Sequence, residues 1–190
     1  MGGKQILSLG ESLAGAGEDA WRNHGDPSAS ILGAYSGFGY GDLHDTPQTI
    51  TILPGVTIDA GSKGAGDLSG YHFIVNLSTQ SPRYYSSGFK GKALVFPISD
   101  GSAPEGPIEE FAGAILGLLH AKRKVYVHCD GGHGRTGLFL ALLIKKARGV
   151  SSVAAIKAVR AEYCKNAVET ATQVLWLVAL DVPEVGDLIK

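Results

Sequence analysis

One of the two cysteines in this sequence, Cys129, stands six residues before Arg135 in 125-VYVHCDGGHGRTGLFLALL-143. The apolar run ending at His128 reads as a strand, and the run after Arg135 reads as a helix. The loop between them, 130-DGGHG-134, therefore opens onto a helix N-terminus. Its three glycines let the backbone curl and turn N–H groups inward, a nest that takes an anion and suits phosphate. The same field favours the thiolate form of a cysteine at the rim. Arg135 can close the ring, because its fork grips two oxygens of a phosphoryl group. A thiolate beneath a bound phosphoryl group is placed to attack phosphorus, which is covalent catalysis through a phosphocysteine.

Such an attack expels an alkoxide or phenoxide that needs a proton, so an acid is expected on a nearby loop. Asp100, in 95-VFPISDGSAP-104, is the candidate, 29 residues before Cys129 and just past another predicted strand. Ligand-side loops gather at that end of an α/β sheet. Gly101 and Pro104 flank the acid and help define a moving loop. The plain alternative is a surface turn aspartate. An inert cysteine at a strand end would leave unexplained the arginine heading an otherwise apolar helix. A Walker phosphate loop fails because GGHGRTG lacks the lysine and the full spacing. A metal site on Cys129, His128 and His133 lacks a second local cysteine pair, so no metal is expected.

The run 128-HCDGGHGRTG-137 resembles the His-Cys-x5-Arg-Ser/Thr signature of the cysteine-dependent protein tyrosine phosphatase superfamily, nearest in size to its small dual-specificity members. The resemblance implies that Cys129 is the nucleophile and that Arg135 binds the phosphoryl group. It implies that Thr136 donates a hydrogen bond to the cysteine sulfur. His128 would orient the loop and support the thiolate without acting as a base. The phosphate loop would comprise Asp130, Gly131, Gly132, His133, Gly134 and Arg135, with the Asp130 side chain pointing out of it. Pro97 to Asp100, with Pro104 beyond, is similar to the family's acid turn, and Asp100 would become the base when water attacks. Gln173, in 166-NAVETATQVLW-176, aligns with a water-positioning glutamine; a helix residue facing solvent is the ordinary alternative. No cofactor is implied.

Phosphoinositide phosphatases of the superfamily carry lysines inside the loop, where this sequence has Asp130 and His133. The negative charge argues against heavily phosphorylated inositols, although His133 can add charge below its pKa. Tyr84 and Tyr85, with Arg83 as an anchor, are candidates for a phosphotyrosine pocket, and the segment 33–45 for a recognition loop. Cys164 reads as a packed helix-end cysteine, with a redox partnership to Cys129 as the alternative. The expected substrate is a phosphorylated protein or peptide, bearing phosphotyrosine with phosphoserine or phosphothreonine possible. Alternatives are a small-molecule phosphate, a nucleotide, an RNA 5′ end, or a phosphate-binding module without turnover.

These residues need elements to hold them. Alternating β-branched residues at 48-QTITILPGVTI-58, broken by Pro54-Gly55, predict a strand or hairpin. Short apolar runs at 73–77, 93–98 and 124–128 predict strands covered on both faces. Helices are expected over 105–124, about 135–147 closed by Gly149, 151–164 capped by Ser151 or Ser152, and 169–180; whether 5–17 is helical stays open. Strands alternating with helices give an α/β fold with a central, mostly parallel (mixed) sheet flanked by helices, phosphatase-like on the resemblance. The 190 residues suit a single phosphatase domain, with a Gly-rich portion over 1–70 and a catalytic core over 71–180.

Composition narrows the partners. A hydrophobic content of 44% and a mean hydropathy of +0.09 support a sizeable core. Residues 1–100 carry 6 Lys+Arg against 9 Asp+Glu, and residues 101–190 carry 11 against 9, too mild an asymmetry for a nucleic-acid groove or a membrane face. Two cysteines make no disulfide framework and no signal pattern opens the chain, so a reducing, cytoplasmic setting is expected.

Overall fold

The computed structural model describes residues 44–80 and 88–181. The segments 5–17 and 33–43 and the residues Arg83, Tyr84 and Tyr85 lie outside the described residues. The hairpin predicted from alternation forms as β1 (Gln48–Leu53) and β2 (Val56–Ser62), antiparallel, with Ile50 and Ile52 buried and Thr49 and Thr51 exposed between them. Three more strands complete the sheet: β3 (Phe73–Asn76), β4 (Lys92–Val95) and β5 (Val125–Cys129). The sheet order is β1-β2-β5-β3-β4, and every pairing except β1 with β2 is parallel. Central β5 is buried along its whole length, as its uninterrupted apolar run predicts.

The expectation of double cover fails for β4. It is an outer strand, with Val95 58% exposed. Its apolar run owes its character to the residues just past the strand's end. There Phe96 N–H and Ile98 N–H bond the carbonyls of Asn76 and Leu77 at 2.9 and 3.0 Å, and Ile98 is buried. This extended continuation carries the chain to Asp100.

Helices α1 (Ile108–His120), α2 (Gly134–Arg148), α3 (Ser152–Glu162) and α4 (Ala171–Ala179) match the expected segments, α1, α3 and α4 with shorter ends and α2 one residue longer at each end. Helix α1 stops before the basic run 122-KRK-124 that the expected range included. Lys122 adopts φ 56°, and the N–H groups of Lys122 and Arg123 bond back to Leu119 and Leu118 at 3.0 Å each. That is a Schellman closure, after which Lys122 Nζ reaches the Gly55 carbonyl at 2.8 Å. Helix α2 is buried at every residue from Gly134 to Ile144 and packs against β5, β1 and the other three helices. Ser151 caps α3, while its neighbour Ser152 is buried and donates to the Leu177 carbonyl. On one sheet face Ile74 and Tyr126 pack with Ala65, Leu68 and Phe89, so the segment after β2 covers that side. Among the described residues, no helix is long and apolar enough to cross a membrane.

Candidate active site

Cys129 closes β5, and Arg135 lies in the first turn of α2, so the five residues between them bridge strand to helix. Their carbonyls are tied on one side. The Asp130 carbonyl accepts from Lys63 N–H at 3.2 Å, Gly131 from His44 N–H at 3.3 Å, and Gly132 from Tyr163 Oη at 2.6 Å. Holding successive carbonyls this way turns the peptide N–H groups toward the other side, the arrangement of an anion nest. Gly132 N–H donates to Cys129 Sγ at 3.3 Å. Gly132 has φ +90°, and a Cβ there would lie 2.8 Å from the Gly61 backbone, so only glycine makes this turn.

Arg135 is 3% exposed and is held over the loop. Its Nη1 donates to the Ile98 carbonyl at 3.2 Å, and its Nη2 meets Asp100 Oδ1 at 2.8 Å and Asp130 Oδ2 at 2.7 Å. Burial works against its charge, but Cys129, Asp130 and Asp100 outweigh burial and raise its pKa above the ordinary value. Its Nε has no hydrogen-bond partner among the described residues. An unpaired buried donor on a charged group is costly, and an oxyanion would satisfy it.

Asp100 reaches this point from the turn 99–102, its side chain 85% exposed. The turn is fastened to α4, because Thr170 Oγ1 donates to the Gly101 carbonyl at 2.7 Å. The expected clustering of Asp100 with the cysteine loop is therefore present, and Arg135 joins the two.

Asp130 departs from expectation. Its side chain does not point out of the loop but folds onto Arg135, with Lys63 Nζ at 2.8 Å and Ser78 Oγ at 3.0 Å. Three donors converge there, which is why the carboxylate stays. Burial pushes its pKa up, yet the hydrogen bonds from Lys63, Arg135 and Ser78 win and lower it. The Thr136 hydroxyl is buried with no hydrogen-bond partner among the described residues, and Gly132 N–H is the donor that the cysteine sulfur has here. His128 is buried behind the loop with Nδ1 2.8 Å from the Cys129 carbonyl, and burial lowers its pKa, so it stays neutral at pH 7.

Gln173 is fully buried, so the solvent-facing alternative does not apply. Its Oε1 accepts from Glu169 N–H at 2.8 Å in a capping box with Thr170, and its Nε2 lies 3.2 Å from where a Gly134 Cβ would be. His133 and Cys164 meet, with His133 Nδ1 3.2 Å from Cys164 Sγ. Sequence reading missed Lys63, Ser78, Tyr163 and Thr170. Lys63 comes directly after Ser62, which pairs with Cys129 in the parallel register; the hairpin was readable, but its neighbour was not.

A family model described as "Polymorphic toxin system, DSP-PTPase phosphatase" matches residues 67–148. The protein 197R of Invertebrate iridescent virus 6, named for a tyrosine phosphatase, is 40% identical over 74 residues, which cover 36% of this chain and 27% of that one. The chain thus spans about a quarter of the length of the curated relatives it matches. Among solved structures, Tk-PTP in its active form superposes with a TM-score of 0.56 at 25% identity, over 72% of this chain and 99% of that one. Kinase-associated phosphatase, with its catalytic-site cysteine replaced by serine, gives a TM-score of 0.60 at 19% identity, over 73% and 94%. Over residues 67–148 the signature, the parallel strands and these likenesses agree with one another, and all are similar to the cysteine-dependent protein tyrosine phosphatase superfamily.

Proposed function

We propose that this chain hydrolyses phosphomonoesters of proteins, phosphotyrosine first and phosphoserine or phosphothreonine besides, through a phosphocysteine. The observation that carries the reading is the buried Arg135 guanidinium, set beside Cys129 and within 2.8 Å of Asp100, with Nε still lacking a partner. In the first step a lone pair of the Cys129 thiolate forms an S–P bond while the P–O ester bond breaks. Asp100 gives its proton to the departing oxygen. Arg135 and the loop N–H groups take the charge on the equatorial oxygens. In the second step Asp100 accepts a proton from water, whose oxygen bonds phosphorus as the S–P bond breaks. Thr136, a buried hydroxyl at the start of α2, serves the departing sulfur as a donor. Gln173, packed at Gly134, positions the attacking water.

Among the described residues both cysteines are free, which suits a reducing, cytoplasmic place of action. The description of the matching family further supports a place in a polymorphic toxin system.

The test is hydrolysis of para-nitrophenyl phosphate with EDTA present, parent beside Cys129→Ser, and then of phosphotyrosine, phosphoserine and phosphothreonine peptides. Turnover that survives the chelator and disappears in the variant is expected, with phosphotyrosine ranked first. Parent-level turnover by Cys129→Ser would remove the nucleophile assignment. A folded, reduced parent without activity would favour a phosphate-binding module. In an Asp100→Ala variant, substrates with poor leaving groups should slow about 100-fold or more, and those with good ones far less. Equal losses would reduce Asp100 to a loop-shaping role.

A further inference from the structure

Against the phosphate loop lies a second group of ligand-type side chains that the chemistry above does not use. His44 comes just before β1, His133 from the loop, and Cys164 just after α3, and one donor atom of each lies within 4.8 Å of the others. The His44 and His133 rings meet edge to face at 4.6 Å, and Cys164 is buried beside them. Residues remote in sequence are thus gathered with their donor atoms facing one another.

Their supports are in place. The backbone of His44 is pinned at both ends, donating to Gly131 O at 3.3 Å and accepting from Ser62 N–H at 2.8 Å. Its ring stacks on Tyr163 at 4.8 Å, and Tyr163 is itself fixed by the Gly132 carbonyl. Asn166 N–H points at Cys164 Sγ from 3.4 Å, an outer-shell contact of the kind that stabilises a metal-bound thiolate. Two imidazoles and a thiolate form a borderline-to-soft donor set that suits Zn²⁺ better than Mg²⁺ or Ca²⁺. Zinc bonds of about 2.0–2.3 Å place tetrahedral ligand atoms roughly 3.3–3.8 Å apart. The pair His133 Nδ1 and Cys164 Sγ, at 3.2 Å, is already near that spacing. The remaining contraction is about 1 Å, within reach of side-chain rotation.

We infer that His44, His133 and Cys164 form a binding site for one divalent cation of the zinc class, separate from the Cys129 thiolate. Cys164 binds as thiolate and releases its proton to solvent, and a fourth ligand completes the tetrahedron. The metal is not a catalyst. Because His133 lies inside the phosphate loop, it fastens that loop to the segment before β1 and to the end of α3, and its occupancy stiffens the loop.

The test uses the full chain with Cys129→Ser, which removes the other reactive thiol and does not depend on the phosphatase reading. Zn²⁺ is titrated against a chromophoric chelator, and Co²⁺ is added separately to read its spectrum. One equivalent is expected, with a sulfur-to-cobalt charge-transfer band and a higher melting temperature. Adding Cys164→Ala should abolish the band, and adding His44→Ala or His133→Asn should weaken binding by about ten-fold or more. Metal-free melting of each variant separates lost ligation from lost folding. One equivalent retained with Cys164→Ala, or no metal bound by a folded Cys129→Ser chain, would overturn the site. So would binding confined to chains that keep Cys129, since the metal would then sit on the reactive thiol.

Discussion

Arg135 Nη2 is shared between two carboxylates, 2.7 Å from Asp130 and 2.8 Å from Asp100, and under the proposed function a phosphoryl dianion would have to bind with both nearby. Asp130 competes with the ligand for the guanidinium and repels it. Replacing Asp130 with Asn keeps the shape and removes the charge. Inhibition by inorganic phosphate should then tighten by about 3- to 10-fold, the scale of one modest polar interaction at a part-exposed site. Inhibition constants at fixed ionic strength check this, and weaker binding would mean that Asp130 acts chiefly by positioning Lys63 and Arg135. His128 offers a pH test. Burial depresses its pKa below 6.5, so the folded state favours neutral imidazole. That contribution is full above the unfolded value and is lost as pH falls from about 6.5 through the folded pKa, by about 1.4 kcal/mol per unit across that window. Denaturant midpoints from pH 7.5 to 5 should therefore fall, and His128→Asn should flatten the slope.

Helix α2 links the site to the rest of the fold, and its first two turns run against the 164–170 segment. A Cβ on Gly137 would lie 2.6 Å from Ala167 Cβ and 2.8 Å from both Ala167 Cα and Val168 N. Backbone atoms cannot give way as a flexible side chain does. Gly137→Ala should cost about 1–3 kcal/mol by overpacking, read from urea unfolding, and should lower turnover by displacing Arg135. Stability equal to the parent's would mean that the segment yields. Much at this scale was legible from sequence. Alternation marked the β1–β2 hairpin, Gly149 and Ser151 marked the boundary between α2 and α3, and the Cys129–Arg135 spacing placed the loop between strand and helix. The features that stayed hidden depend on tertiary partners. Nothing local marks Thr170 as the tether of the Asp100 turn, or Asp130 as a ligand of Lys63, because each pairing joins segments far apart in sequence. Gln173 was readable as helical, but its burial comes from packing against Gly134.

For the molecule as a whole, the question is how far the catalytic unit extends toward the N-terminus. The resemblance is strongest from Tyr71 onward, yet β2 pairs directly with β5, and Ser62 stands beside Cys129 in the register. Behind this hairpin, Arg148 at the end of α2 donates to the Ile52 and Thr51 carbonyls at 2.8 and 2.6 Å. A chain starting at Tyr71 would lose β1 and β2 together. It would expose one edge of the central strand, uncover the side of α2 that packs on β1, and remove Lys63 and the Gly61 backbone against which Gly132 turns. An open edge beside a fully buried strand is a template for aggregation. The shortened chain should therefore lack a cooperative thermal transition and all phosphatase activity, while one starting at His44 should keep the transition. Near-UV circular dichroism and para-nitrophenyl phosphate hydrolysis on the two chains decide it. A cooperative, active chain from Tyr71 would show that the hairpin is an accessory to the sheet. The expected failure would place the hairpin's role in holding the phosphate loop's strand between two parallel neighbours, so that Cys129 leaves the sheet at a fixed height above α2.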